Sequence, residues 1–473
     1  MMHFARFAII LICLAAGSPD VRAEARIEAG DLVSGDVLPL RVTGLGSGER
    51  VRMHAVRQLE IYRNQDGEWK RVPTQMHAWA DFRADRRGTV QVGRDAPLAG
   101  TYRGIDDLGL LWSPFKRGDP ALVGAWLGTP PTLEATGDVV MLLAERERGQ
   151  ALQSSFRLRS GRAGVRLITV RGPGFVGVFG TPGEARRLST LIVLHGSEGG
   201  SIAKAQASAE RYASQGFTTL SLIYFAWEYE KPEGVAFTRI ENIPVEMLDR
   251  AREWLRSRPE ADVDRIGLVG TSKGAEFALE GATLYPWVRA VVGCVPSDVV
   301  WQGFDQTSAE QPRASSWSIR SQPITFVPLF PFREGNPENY RTNTERYDRS
   351  RRAHPAEAER ARIPIERSTA RLLLIGSRRD EVWASGDMAE AIDRRLAAAG
   401  RGAQAEALVF LAAGHQICGD GTFPVRAYQQ QSADPAMKVL EDEGSATVSA
   451  FRRSLDFLRE ALKPALIPGS APT

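Results

Sequence analysis

The chain has 473 residues, of which 43% are apolar and 25% charged, a composition that is typical of a folded globular protein and excludes a largely disordered one. Its 60 Lys and Arg residues nearly balance 57 Asp and Glu residues, so the charge gives no support to nucleic-acid binding. Three cysteines rule out a disulfide-framework fold, and six histidines without an HExxH pattern leave little material for a metal site. The length predicts two or three domains.

Residues 1–23 have the pattern of a secretory signal peptide. Arg6 precedes an apolar run of 11 residues, about half of what a membrane-spanning helix needs. Val21 and Ala23 then place small residues ahead of a cleavage site before Glu24. An uncleaved anchor and a buried N-terminal helix are the alternatives. We expect an exported mature chain, periplasmic or secreted, with no stable membrane insertion after cleavage.

The mature chain keeps two cysteines, Cys294 and Cys418. Export permits a disulfide between them. Nothing in the sequence shows that they are close in space, and free cysteines are among the residues most often buried. The sequence therefore favours two buried thiols over a bridge.

Residues 24–145 carry the signals of short strands and turns. Leu59 and Ile61 alternate with polar neighbours, and Asp66-Gly67 is a strong hairpin signal. Strands at this spacing predict an immunoglobulin-like β-sandwich. The polar segment 146–163 is expected to be a linker.

Strands and helices alternate from residue 164 to about residue 465. This pattern predicts a mostly parallel sheet with helices on both faces. The expected strands are 165–170, 175–179, 191–194, 218–223, 265–269, 288–295, 371–375 and 407–411, and the expected helices are 201–215, 244–258, 272–284, 385–399 and 445–462. The segment 302–362 interrupts the alternation and predicts a cap insertion.

Gly270-Thr271-Ser272-Lys273-Gly274 is a G-x-S-x-G motif between an apolar strand and a helix. In that setting the serine occupies a strained turn, called a nucleophile elbow, at the edge of an α/β-hydrolase sheet. The glycines at 270 and 274 leave the space that such a turn needs. A tight turn with an idle serine is the alternative. We therefore predict an α/β-hydrolase fold with Ser272 as nucleophile.

An acid and a histidine follow in the chain order that this fold uses. Asp380 lies just past the strand 371–375, and His415 lies just past the strand 407–411. A neutral imidazole would take the serine proton, and a carboxylate would orient it. Glu381 and Asp298 compete for the role of the acid. Asp380 could instead form a loop ion pair, and His415 could instead be a capping or core histidine.

An oxyanion hole needs two backbone N–H groups. The first is expected from Lys273, directly after the nucleophile, whose side chain is expected to be a surface charge. The second is expected from the loop 195–200, with Ser197 as first choice and Glu198 as second. His195 comes too early in the chain to be the base and is expected to be structural.

The cap segment is rich in aromatic residues. They either line an acyl pocket or pack the cap onto the sheet. The residues in question are Trp301, Trp317, Phe326, Phe330 and Phe332.

Several runs resemble the acyl-CoA thioesterase and bile-acid-CoA:amino-acid N-acyltransferase family, over nearly all of the mature chain. They are GTYRGIDDLGLLWS at residues 100–113, DRIGLVGTSKGAE at 264–276, VPS at 295–297, WQG at 301–303, DEVW at 380–383 and AGH at 413–415. The resemblance implies a Ser272–Asp380–His415 triad, an acyl-enzyme and a bulky acyl thioester substrate. Serine rather than cysteine at 272 favours hydrolysis over amino-acid conjugation.

Three features depart from that family. Asp380 stands alone where the family has an aspartate pair, and the loop 195–200 reads HGSEGG rather than ending in glycines only. Acyl-CoA is a cytosolic metabolite, which an exported enzyme is not expected to meet. An exported carboxylesterase or acyltransferase, and a non-catalytic envelope binding protein, are therefore kept as alternatives. The sequence shows no cofactor motif, neither a strand-linked GxGxxG nor a GxxxxGK[ST].

Overall fold

A computed structural model describes residues 24–65, 68–128, 133, 137–183, 186–308, 310–331, 342–427 and 437–463. The predicted signal peptide, residues 1–23, lies outside the described residues, as do Asp66-Gly67 and Phe332. None of the helices in the described part of the chain combines the length and apolarity that crossing a bilayer requires.

The front of the chain forms two packed sheets. The smaller sheet has three strands, in the order Arg26–Ala29, Leu40–Thr43 and Val90–Gln91. The larger sheet has the order Leu32–Val33, Leu152–Arg159, Val139–Arg146, Arg50–Gln65, Glu68–Arg83 and Ala99–Gly100. A seventh strand of this sheet, Phe115–Lys116, also pairs with Glu68–Arg83. Val42 and Val90 of the smaller sheet share one buried core with Met53, Phe82 and Leu142 of the larger one. Alternate residues of each strand supply this core, as expected of a sandwich. The predicted β-sandwich is confirmed.

The prediction of a linker at 146–163 is wrong for its middle part. Leu152–Arg159 is a strand that pairs antiparallel with Val139–Arg146 inside the sandwich. Its residues alternate between the core side and solvent, but Phe156 is its one fully buried residue. Leu152, Phe156 and Leu158 face inward, but the segment around them is so rich in polar and charged residues that it has the composition of a linker.

The back of the chain forms one sheet of eight strands. Their order is Arg166–Gly172, Phe175–Thr181, Thr218–Ile223, Leu188–Leu194, Ala261–Thr271, Val288–Cys294, Arg371–Ser377 and Ala405–Phe410. Phe175–Thr181 is antiparallel to both of its neighbours, and the six strands beyond it run parallel. The mostly parallel sheet is confirmed.

Helices cover both faces of this sheet. The helices are Ile202–Ser214, Met247–Arg256, Lys273–Leu284, Ser385–Ala398 and Met437–Ala461. The strand Leu188–Leu194 directs Ile192 and Leu194 into the core of one face and Leu191 and Val193 into the core of the other. A strand buried on both faces is apolar throughout, which is why this one was visible in the sequence.

An insertion of residues 295–370 separates the strands Val288–Cys294 and Arg371–Ser377. It contributes Trp317–Ile319 and Gln322–Pro323, which form a three-stranded sheet with Ile243–Pro244, and the helices Asn343–Ala353 and Pro355–Arg360. This sheet lies beside the start of the helix Lys273–Leu284. Buried hydrogen bonds join Ser316 to Lys273 and Trp317 to Glu276.

The sandwich docks onto the C-terminal part of the chain. The carbonyl oxygen of Trp112 accepts a hydrogen bond from Val425 N at 2.9 Å. The guanidinium of Arg452 binds both carboxylate oxygens of Asp107, at 2.7 and 2.8 Å. A Cβ on Gly444 would lie 2.2 Å from Trp112, so this position of the last helix needs glycine. The two halves of the chain therefore share a specific interface.

Candidate active site

Ser272 lies at the turn between the strand Ala261–Thr271 and the helix Lys273–Leu284. Its φ of 54° and ψ of −118° are strained for a residue with a side chain. A Cβ on Gly270 would lie 2.1 Å from Gly274 O, and one on Gly274 would lie 2.3 Å from a carbonyl oxygen of the loop that faces it. Only glycines fit at these two positions, which agrees with the predicted elbow.

The structure brings Ser272, His415 and Asp380 together. His415 Nε2 lies 3.1 Å from Ser272 Oγ, and His415 Nδ1 lies 2.8 Å from each carboxylate oxygen of Asp380. The backbone N–H groups of Val382 and Trp383 donate to Asp380 Oδ1 at 2.9 and 3.1 Å. A ring that donates from Nδ1 to the carboxylate leaves Nε2 free to accept the serine proton.

The other acids that the sequence offered are engaged elsewhere. Asp298 forms a two-pronged ion pair with Arg351 at 2.7 and 2.8 Å. Glu381 accepts the backbone N–H of His415 at 2.9 Å and so holds the loop rather than the ring. Arg378 forms ion pairs with Asp387 and Glu390 of the helix Ser385–Ala398, so it does not compete with His415 for the carboxylate of Asp380.

Glu443 is a further carboxylate beside the histidine loop, next to Glu381, and it was not predicted from the sequence. A Cβ built on Gly414 would lie 2.7 Å from a carboxylate oxygen of Glu381 and 2.8 Å from one of Glu443, so the two carboxylates approach the same backbone position. Burial and the neighbouring charge of Glu381 raise the pKa of Glu443 to about 7. Glu443 lies on the last helix, far along the chain from any motif, so no sequence pattern points to it.

Two predicted groups could serve as oxyanion donors. Lys273 N–H is at the first helical position, where an α-helix has no internal acceptor for it. In the described loop 195–200, hydrogen bonds occupy the N–H groups of the three glycines. That leaves the N–H groups of Ser197 and Glu198 as the candidates from this loop. The Glu198 carboxylate itself accepts Gly196 N–H at 3.0 Å and closes the loop.

His195 has the position of a structural residue. Its ring stacks on Tyr224 with the centroids 4.2 Å apart, and its Nδ1 donates to Gly196 O at 2.8 Å. The hydroxyl of Tyr224 donates to His195 O at 2.7 Å. Burial lowers the pKa of His195.

The prediction of an exposed Lys273 side chain is wrong. Its Nζ lies 3.0 Å from Glu276 Oε2 and 2.8 Å from Ser316 Oγ, and 3% of the residue is exposed. Trp317 Nε1 donates to the same Glu276 carboxylate at 2.8 Å. Burial lowers the pKa of Lys273 and raises that of Glu276. The insertion covers the start of this helix, and it lies too far along the chain for a local pattern to reveal that.

The expectation of two free thiols is also wrong. Cys294 and Cys418 form a disulfide that closes a sequence separation of 124 residues. Cys294 ends the strand beside the elbow, and its carbonyl oxygen accepts Ser272 N–H at 2.9 Å. Cys418 comes three residues after His415. The bridge therefore ties the histidine loop to the strand beside Ser272.

A cleft of about 770 Å³ opens at Ser272 and His415. The insertion contributes Phe304 and Gln306 to its lining. Of the two alternatives for the cap aromatics, packing holds for Trp301 and Trp317, because both are fully buried. Phe326 packs against the main core, and neither it nor Phe330 lines this cleft. We call this cavity the Ser272 cleft.

Comparison with known proteins gives a consistent picture. The family described as "BAAT / Acyl-CoA thioester hydrolase C terminal" matches residues 243–463, and "Acyl-CoA thioester hydrolase/BAAT N-terminal region" matches residues 36–120, so the two models together match well over half of the chain. The chain is 28% identical over 346 residues to acyl-coenzyme A thioesterase 1 of Mus musculus, covering 72% of this chain and 75% of the relative. It is also 28% identical to the mitochondrial acyl-coenzyme A thioesterase 2 of Mus musculus, covering 72% and 69%.

Solved structures with a similar arrangement include a putative dienelactone hydrolase from Klebsiella pneumoniae, with a TM-score of 0.39, 15% identity and coverage of 63% of this chain and 99% of that one. An esterase of Pyrobaculum calidifontis has a TM-score of 0.38 and 18% identity, covering 63% and 86%.

Proposed function

The chain belongs to the acyl-CoA thioesterase and BAAT family, and from this premise we propose that it is a serine hydrolase that cleaves acyl thioesters with Ser272 as its nucleophile. The observation that carries the proposal is the chain of contacts from Asp380 through His415 to Ser272. It ends in an open cleft that a small acyl substrate can enter.

In the first half of the proposed reaction, Ser272 Oγ attacks the carbonyl carbon while His415 Nε2 takes the hydroxyl proton. Asp380 holds the ring and stabilises the imidazolium. The backbone N–H of Lys273, together with that of Ser197 or Glu198, stabilises the negative oxygen of the tetrahedral intermediate. The C–S bond then breaks, His415 returns the proton to the leaving sulfur, and an acyl-enzyme remains on Ser272.

In the second half, a water molecule replaces the thiol. His415 removes a proton from the water as it attacks the acyl carbonyl, and the same N–H groups stabilise the second intermediate. Collapse of that intermediate releases the acid and returns the proton to Ser272.

We also propose that the mature chain works outside the cytoplasm. The support is the signal-peptide pattern of residues 1–23 together with the Cys294–Cys418 disulfide, since such bridges persist in oxidising compartments. An exported enzyme would meet esters as well as thioesters. An exported carboxylesterase acting through the same serine is therefore the second candidate.

Hydrolysis of matched substrates tests the proposal. Purified mature protein is given an acyl-CoA and the p-nitrophenyl ester of the same acid, and the Ser272→Ala variant is assayed beside it. The variant should lose about 10⁴-fold or more in kcat. Ser257→Ala, an exposed serine at the end of a helix, is the matched control and should keep full activity. Activity that survives in Ser272→Ala would contradict the proposal, and a large preference for the ester would favour the carboxylesterase.

A further inference from the structure

A second cavity, of about 230 Å³, adjoins the Ser272 cleft at the interface between the sandwich and the α/β domain. We call it the arginine pocket. Its lining residues include Arg57 and Arg159 from the sandwich, and Arg211, Asp420 and Thr422 from the α/β domain. Ala207 and Arg211 line both cavities, so the two are adjacent.

Two walls lead from Ser272 to this pocket. One is a face of the helix Ile202–Ser214, where Lys204, Ala207 and Arg211 follow each other at helical spacing. From Lys204 to Arg211 this face advances about 10 Å. The other wall is the segment 415–422, which starts at His415 beside the nucleophile and ends at the arginines. A ligand anchored at Ser272 can therefore extend along these walls to the pocket.

Arg57 is the least compensated charge of the pocket. Its Nη1 donates to Thr422 O at 2.9 Å, and its buried Nε has no hydrogen-bond partner. In the part of the chain that the structure describes, no carboxylate lies within ion-pair distance of it. Burial lowers the pKa of Arg57 to about 10, so it is a cation at neutral pH. A cation withdrawn from water without a counter-ion is costly, and an anionic ligand would compensate it.

The other two arginines of the pocket are paired with carboxylates, so the unpaired Arg57 leaves the pocket with a net positive charge. Arg211 lies 3.4 Å from Asp420, and Asp420 also accepts the Ser34 hydroxyl at 2.7 Å. Arg159 pairs with Asp31, which is outside the lining. Asp420 is the single carboxylate among the described lining residues, against three arginines.

We propose that the arginine pocket binds a phosphate group carried by the leaving group of the acyl substrate. This inference rests on the proposed function, because it places the scissile carbonyl at Ser272 and the departing thiol or alcohol along the two walls. Guanidinium groups match the geometry of phosphate oxygens and bind them with charge-assisted hydrogen bonds. The phosphate belongs either to a thiol of the CoA type or to a glycerophosphate ester. Since Arg57 and Arg159 come from the sandwich, the front domain completes the substrate site.

Pairs of substrates that differ only in phosphate test this site. One pair is the S-acyl 4′-phosphopantetheine and the S-acyl pantetheine with the same acyl chain; the other is 1-acylglycerol 3-phosphate and 1-acylglycerol. The value of kcat/KM is measured for wild type, Arg57→Gln, Arg57→Lys and Arg211→Gln. Arg87→Gln, an exposed arginine of the same sandwich that lines neither cavity, is the control.

In at least one pair, wild type should prefer the phosphate-bearing member by about tenfold or more. Arg57→Gln and Arg211→Gln should lose about tenfold of that preference, and thermal unfolding measured beside wild type shows that each variant folds. Arg57→Lys should retain part of the preference, and Arg87→Gln all of it. The pair that shows the effect identifies the source of the phosphate. Equal rates within both pairs, or a preference that Arg57→Gln does not change, would overturn the proposal.

A binding measurement separates this proposal from the proposed function. Calorimetry with the Ser272→Ala variant compares 4′-phosphopantetheine with pantetheine, and glycerol 3-phosphate with glycerol. Tighter binding of the phosphate-bearing compound, lost in Ser272→Ala/Arg57→Gln, supports the pocket even if no substrate is turned over. Turnover of the phosphate-free substrates without any phosphate preference would leave the hydrolase standing and remove the pocket.

Discussion

Removal of the Cys294–Cys418 disulfide should reduce both the stability of the α/β domain and its turnover. The bridge joins the strand beside the elbow to the loop that carries His415. In the unfolded chain it closes a separation of 124 residues, for which the loss of chain entropy corresponds to about 5 kcal/mol. The whole free energy of unfolding of a domain is commonly about 5–15 kcal/mol. The bridge is therefore worth a large share of the stability of this domain.

The Cys294→Ala/Cys418→Ala double variant should unfold at a clearly lower urea concentration than oxidised wild type, with a loss of about 2–5 kcal/mol. Wild type treated with a reductant should approach the same value, and reductant should not change the double variant. Because the histidine loop loses its tether, kcat should fall more than KM rises. Two titratable thiols in the mature protein, or a double variant as stable as oxidised wild type, would refute this reasoning.

Three further changes have defined outcomes. Asp380→Asn should lower kcat about 10⁴-fold with little change in KM, because His415 loses the partner that fixes its tautomer; steady-state kinetics measure this, and a loss below tenfold would contradict it. Burial lowers the pKa of His54 to about 4 and of His77 to about 3. Both rings are neutral in the folded and unfolded chain above pH 6.5, and as the pH falls toward 4 and 3 the unfolded chain takes up protons that the folded chain does not. The free energy of unfolding should therefore drop by about 2 kcal/mol per histidine at pH 5. Urea unfolding at several pH values checks this, and a flat profile in this range would oppose it. The pKa of Glu443 is raised to about 7 in the folded chain, so the folded chain holds a proton on this carboxyl more tightly than the unfolded chain does. The resulting contribution to the free energy of unfolding is fully present below pH 4.5 and is lost as the pH rises through 7. Glu443→Gln should therefore match wild type at pH 4.5 and exceed it by up to about 3 kcal/mol above pH 7, and a difference independent of pH would count against this account.

The parts of the site that depend on local sequence could be predicted. Ser272, Asp380 and His415 each follow a strand of a parallel sheet, and the carboxyl ends of such strands lie at one edge. Their order along the chain is the basis for the roles proposed for them. The buried strand Leu188–Leu194 was recognisable because both of its faces are apolar.

The parts that depend on distant contacts could not be predicted. Cys294 and Cys418 meet because the sheet places their strand and loop side by side, which no local pattern records. Lys273 is buried by an insertion that comes about 40 residues later in the chain, as its contact with Ser316 shows. The strand Leu152–Arg159 was missed because polar and charged residues surround its three apolar positions and give the whole segment the composition of a linker.

The interface between the two halves of the chain gives the front domain a place in the proposed chemistry. The contacts of Trp112 and Asp107 fix the sandwich on the last helix and on the segment that follows His415. Arg57 adds a direct hydrogen bond to Thr422 in that segment. Separating the sandwich from the α/β domain would thus remove one end of the proposed substrate site.

Labelling with a fluorophosphonate probe tests the central claim most directly, because the probe reacts with an activated serine whatever the substrate is. Mature wild type and Ser272→Ala are treated in parallel, and their intact masses are measured. An activated Ser272 predicts one probe adduct on wild type and none on the variant. No adduct on folded wild type, or an equal adduct on Ser272→Ala, would contradict the assignment of Ser272 as the nucleophile.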